Sequence, residues 1–228
     1  MKPFINTFYA TPQTGAGIEM RSFEIIDWEA PPNEFSPAEW ECVRRMIHTV
    51  GDFSIMASVL FSPDAITAGI KALKGGSPLY TDSNMIRAGL SVERLKSVND
   101  CYGKDRIHCH IADTAVAKEA RDSGLPRSIH ALRKAKAMIQ GGIIVFGNAP
   151  LGLLELNRLI LEEGIRPALV IAMPVGFVHV VESKEELMSL DVPFISLAGR
   201  RGGSPLAVSV IHALCTLATT LKGDQNHD

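Results

Sequence analysis

A three-layer, doubly wound α/β fold on a five-stranded parallel sheet is predicted by three observations. Ile143–Phe146 and Ala168–Met173 are short apolar runs without polar alternation, as expected of strands buried on both faces. Between them lies a helical segment with Leu151, Leu154, Leu159 and Ile160 spaced to face a core, Asn148 and Pro150 at its start and Gly164 after its end. Three further strand-sized segments, near 78–81, 107–111 and 194–197, alternate with helical ones. The β-α-β unit over 143–173 requires a right-handed crossover. It brings the loops Gly147–Pro150 and Met173–Gly176 to the carboxyl ends of the strands, where ligands of open α/β sheets bind.

A chain of 228 residues can bury one large core, and the elements suggest a single domain over 36–228 with an N-terminal extension over 1–35. A hydrophobic content of 46%, a charged content of 21% and a net charge of −2 predict a soluble protein without bulk attraction to nucleic acid or membrane. Cys42, Cys101, Cys109 and Cys215 form no C-x-x-C pair, and Met1 opens no signal sequence, so a reducing cytoplasm is expected.

Residues 1–35 show no sustained period and carry Pro3, Pro12, Pro31 and Pro32, which predicts a segment wrapping the surface or reaching a partner. Within it, Arg21–Ile26 alternates like an edge strand, and Arg21 reads as a solvated charge. The first helix is announced by a capping box, Ser36-Pro37-Ala38-Glu39, by Trp40, Val43, Ile47 and Val50 at helical spacing, and by Gly51 as the stop. His48 falls in its last turn. There the negative end of the helix dipole, with Asp52 close by, favours a protonated imidazole, suited to proton donation or simply to bonding a carbonyl.

Ser62-Pro63-Asp64 opens the next helix, and Gly75-Gly76 closes it. The strand near 78–81 ends at Asp82; Asp82 or Ser83 caps the short helix that follows, and the Asp82 carboxylate could instead face a ligand at the sheet edge. His108 and His110 share a strand face, but no further residue at metal-ligand spacing accompanies them, so no metal is expected. Pro126-Arg127-Ser128 starts another helix. Arg127 lies in its first turn, where a cation opposes the helix dipole, so helix stability does not explain it and an anion would.

The final unit carries the most chemistry. After the strand at 194–197, Gly199-Arg200-Arg201-Gly202-Gly203 leads to Ser204 and Pro205, read as cap and first residue of the closing helix. Glycines permit close backbone approach, a helix start offers N–H groups, and two arginines can fork onto carboxylates. The reading from residues alone ends at a site for a polyanionic small molecule, with Asp82, Asp113, Asn148 and Arg200/Arg201 on its edge. No P-loop and no dinucleotide fingerprint is present.

At these residues the chain resembles a known family. Arg44–His48, Phe61–Asp64, Gly147–Pro150, Met173–Val178, Glu182–Lys184 and Gly199–Ser204 are similar, in order, to the signature blocks of the precorrin-8X methylmutases. The resemblance extends from Arg21 to Leu217. It implies a flavodoxin-like fold and a homodimer with active sites near the subunit interface. It also implies an isomerase of cobalamin biosynthesis that moves a methyl group from C-11 to C-12 of a corrin precursor without a cofactor. His48 falls on the family's catalytic histidine. Arg21 and Ser22, Arg127, Asn148, Asp82 and the loop Arg200, Arg201, Gly202 and Gly203 become candidates for holding the carboxylate-fringed tetrapyrrole. A corrinoid carrier without chemistry, or a sugar-phosphate or nucleotide enzyme, would use the same glycine-arginine loop.

Overall fold

The computed structural model describes residues 3–223. In chain order it has α1 (Ile5–Ala10), α2 (Gly15–Glu29), α3 (Pro37–Val50), a 3-10 segment Phe53–Ser58 and β1 (Val59–Phe61). Then come α4 (Ala65–Lys74), β2 (Leu79–Thr81), α5 (Asn84–Gly89), α6 (Val92–Val98), β3 (Ile107–His108) and α7 (Thr114–Ser123). The rest comprises α8 (Arg127–Lys134), α9 (Lys136–Ile139), β4 (Ile143–Phe146), α10 (Pro150–Glu163), β5 (Leu169–Ala172), α11 (Val180–Met188), β6 (Phe194–Leu197) and α12 (Ser204–Gly223).

The strands form one mixed sheet in the order β1-β6-β5-β4-β2-β3. All neighbours are parallel except β1, which runs antiparallel to β6 with Leu60 opposite Ser196. The expected five-stranded sheet is therefore six-stranded. The five expected strands are present, and the sixth, β1, is a three-residue strand whose pairing is with the distant β6. The predicted strand 107–111 is also cut to Ile107–His108, after which the chain turns so that His110 can bond Asp113.

Successive strand residues point to opposite faces, and each face has its own core. Ile143, Val145, Leu169 and Ile171 join α3, α4, α6 and α12 in one cluster. Ile144, Phe146, Val170 and Ala172 join α8, α10 and α11 in the other. Helices thus cover both faces, and the sheet is the middle of three layers. In α10 the core stripe is Leu153, Leu156, Leu159 and Ile160, so Leu151 and Leu154, expected in the core, are only half-buried.

The N-terminal segment departs most from expectation. Arg21–Ile26 is not an edge strand but the middle of α2, whose N-cap Thr14 accepts a hydrogen bond from the backbone of Gly17. Six residues of two-fold alternation concealed a helical stripe, Glu19, Ser22, Phe23 and Ile26, at i, i+3, i+4 and i+7. Of these only Ile26 is fully buried. A buried apolar side chain contributes roughly 1.5–3 kcal/mol, so burial alone would hold α2 weakly. Polar links hold the rest: Glu19 bonds Arg45 and Arg94, and Asp27 bonds Trp40 and Arg44.

Candidate active site

The site is assembled where α3 ends, α12 begins and α2 crosses them. The capping box forms as predicted, with Ser36 and Glu39 each bonding the other's backbone, and Gly51 ends α3 in the left-handed conformation at φ 64°. These local signals place His48 on the last turn. Its Nδ1 lies 2.7 Å from Ser22 Oγ, and the Phe23 ring meets the imidazole edge-on at 5.3 Å. Arg44 and Arg45 stack over the other parts of Phe23, at 4.6 and 4.9 Å from its centroid. Asp52 does not turn back to His48; it bonds Ser54 and Arg201 instead.

His48 opens onto a cleft of about 390 Å³ lined also by Glu19, Arg45, Thr49, Ser204 and His212. A second, smaller cleft of about 260 Å³ continues past Val50 and Leu206 to Val175, Arg201 and Gly202. The two share the last turn of α3 and the first of α12, so His48 and the arginine loop lie along one surface.

That loop is tied down from beneath. Lys184 is buried, and its Nζ donates to the carbonyls of Gly199 at 3.0 Å and Arg201 at 2.6 Å. Gly203 N donates to Met173 O at 2.8 Å, and Gly176 N to Arg200 O at 3.3 Å. With its carbonyls drawn inward, the loop turns both arginine side chains out. Arg200 lies over the exposed Phe177 ring at 5.3 Å, and Arg201 reaches Ser54 and Asp52. Ser204 proves to be the first helical residue rather than the cap; its hydroxyl lies 3.1 Å from that of Ser83.

Burial lowers the Lys184 pKa from 10.5 to about 8. Unfolded, the amine keeps its proton up to the ordinary lysine range, so folding stability rises with pH between about 8 and 10.5 and the burial cost is felt in full below 8. The neutral amine retains two hydrogens, enough for both carbonyls. Denaturant unfolding of the wild type and Lys184→Met from pH 7 to 10.5 checks this. The wild type should gain on the variant across that window; parallel curves would refute it.

Asp82 sits at the point where the strand order reverses, between β2 and β4. Its buried carboxylate accepts from the backbone nitrogens of Gly147, Asn148 and Ala149 at 3.2, 2.8 and 2.6 Å. Burial raises its pKa against the opposing pull of those three bonds. Ser83, not Asp82, caps α5. The side chain of Asn148 is exposed above the loop that Asp82 shapes. Arg127 is exposed at the start of α8, next to Ser128, which packs on Gly152 of α10, and it has no ion-pair partner among the described residues. Arg21 is exposed and pairs with Glu24 at 2.8 Å on the surface.

Asp113 holds the N-cap position of α7, but its side chain bonds His110 at 3.0 Å and Lys134 at 2.6 Å and makes no capping bond to the helix. Among the described residues no three His, Cys, Asp or Glu side chains are grouped to hold a metal ion. Sequence reasoning missed Glu19 and His212 entirely, and it placed Arg45 and Lys184 in signature blocks without assigning either a role. A helical reading of residues 15–29 would have exposed Glu19; the others had no local signal.

The family model described as precorrin-8X methylmutase matches residues 17–217, from the first turn of α2 into α12. The chain belongs to that family. It is 44% identical over 213 residues to a cobalt-precorrin-8 methylmutase of Leptospira interrogans, covering 90% of this chain and 94% of the relative. A precorrin-8X methylmutase of Sinorhizobium is 34% identical, covering 88% and 93%. The crystal structure of the precorrin-8X methylmutase from Thermus thermophilus superposes with a TM-score of 0.82 at 44% identity, covering 90% of this chain and 97% of that one.

Proposed function

We propose that this chain is an isomerase that moves a methyl group from C-11 to C-12 of precorrin-8X or cobalt-precorrin-8, giving hydrogenobyrinate or its cobalt form. The observation that carries the mechanism is the Ser22–His48 contact of 2.7 Å. In the protonated ring Nδ1–H donates to Ser22 Oγ, which fixes the plane of the imidazole and leaves Nε2–H for the macrocycle. A proton lent to the ring system, or a hydrogen bond to a ring nitrogen, makes the conjugated path electron-poor. The C-11–methyl bond then breaks as the C-12–methyl bond forms, in a 1,5-sigmatropic shift. The lent proton returns to His48. Substrate and product are isomers, so the balance needs no redox partner and no protein nucleophile.

The acetate and propionate fringe gives the basic groups their purpose. Arg200, Arg201 and Arg127, with the backbone of Gly202 and Gly203 and the Asn148 side chain, would hold carboxylates through charge-assisted bonds worth about 1.5–3 kcal/mol each. Arg21, exposed and paired with Glu24, would meet substrate across a dimer. A homodimer is supported by the apolar side chains left exposed on α1, its N-cap Phe4 and α2, among them Phe4 at 88% and Trp28 at 84%.

The parallel strands, numbered among themselves, run 2-1-3-4-5, which supports a flavodoxin-like fold for 36–228 with residues 1–35 as an arm. Among the described residues no helix is long and apolar enough to cross a membrane. Four free cysteines support a cytoplasmic location.

Gel filtration with excess hydrogenobyrinic acid, followed by an isomerisation assay, tests the reading. Pigment should travel with a dimer-sized peak; pigment left in the small-molecule fraction would refute it. Ser22→Ala should lower turnover by roughly tenfold at unchanged pigment binding, since only the orientation of His48 is lost. Equal loss of binding would place Ser22 in contact with substrate instead.

A further inference from the structure

His212 lies on α12 and lines the same cleft as His48. Its Nε2 is 3.0 Å from the backbone nitrogen of Ser91, the residue that caps α6. A backbone N–H can only donate, so Nε2 must be the bare nitrogen and accept. In the neutral ring the single proton is therefore on Nδ1, and Nδ1 makes no hydrogen bond among the described residues. The ring is thus anchored through one nitrogen and offers the other.

The surroundings keep it neutral. Burial lowers its pKa to about 4, with Arg94 and Arg45 repelling a further proton and Glu19 opposing them. The start of α12, Ser204–Pro205, lines the same cleft, and the positive end of that 20-residue helix favours a negative group there.

We infer that His212 is a substrate-binding residue, a neutral Nδ1–H donor to one carboxylate of the macrocycle fringe. This rests on the methylmutase reading and gives the cleft two histidines with different tasks. His48 lends a proton; His212 donates a hydrogen bond without releasing its proton.

Two substitutions separate the ring's halves. In His212→Gln the side-chain oxygen can still accept from Ser91 N–H, but no donor remains near Nδ1. His212→Asn keeps a donor near Nδ1 and loses the acceptor. His212→Gln should melt like the wild type, bind hydrogenobyrinic acid about tenfold more weakly, and show KM raised by a similar factor with kcat little changed. His212→Asn should bind pigment more tightly than His212→Gln even if it is less stable. In the wild type, ¹⁵N spectra of the histidines should show Nδ1 protonated and Nε2 bare, and the Nδ1–H signal should move when hydrogenobyrinic acid is added.

Wild-type binding by His212→Gln, an Nε2–H tautomer, or an Nδ1–H unmoved by bound pigment would each overturn the inference while leaving the methylmutase reading intact. A wild type that binds no pigment would overturn both.

Discussion

His48→Ala is expected to abolish methyl migration while the coloured product stays bound. His48 is exposed on the last turn of α3, so its removal opens no core cavity and the fold should be unaffected. The groups proposed to bind the macrocycle, the arginine loop among them, make no hydrogen bond to the imidazole among the described residues. On the proposed mechanism the loss is that of proton donation, worth typically 10²–10⁴-fold, or roughly 3–5 kcal/mol of barrier. Turnover measured by the visible spectrum, set beside pigment co-elution and a melting curve, separates the terms. Wild-type turnover by His48→Ala would remove the residue from the mechanism. A wild type that binds pigment without isomerising it would favour the corrinoid-carrier reading.

The second large effect is expected at Gly202. A Cβ there would lie 2.5 Å from the carbonyl oxygen of Pro174 and closer still to that of Met173. Both obstacles are backbone, so no rotamer change relieves them. Met173 O is moreover the acceptor for Gly203 N, so displacing it undoes a bond that seats the loop. Gly202→Ala should cost about 3 kcal/mol, lowering Tm by roughly 5–10 °C, and should raise KM by moving both arginines. Gly199 is the control. It has φ 69° and open space around its Cβ position, so Gly199→Ala meets only the left-handed backbone penalty of about 1 kcal/mol. Equal melting temperatures for the two variants would show that the Met173–Pro174 contact does not hold the loop.

Much of this frame was legible beforehand because its causes are local. A strand buried on both faces must be apolar throughout, so Ile143–Phe146 and Ala168–Met173 declared themselves. Ser36, Glu39 and Gly51 act on backbone groups within four residues, and they alone put His48 on a final turn. The glycine-arginine loop was visible because its residue types have few uses together. The family's signature blocks then supplied an order in which these pieces belong to one enzyme.

Other features depended on partners far along the chain. α2 reads ambiguously because only Ile26 is fully buried; its state is settled by Arg45, Arg94, Trp40 and Arg44, which Glu19 and Asp27 find across 13 to 75 residues. Only that docking sets Ser22 against His48. β1 exists because β6 offers it an edge, and Lys184 and His212 have roles only because Gly199, Arg201 and Ser91 are folded against them. Periodicity and capping report interactions within about one helical turn. The sequence by itself therefore determined the elements and the chemical character of the edge, whereas the tertiary structure decided which side chains meet there.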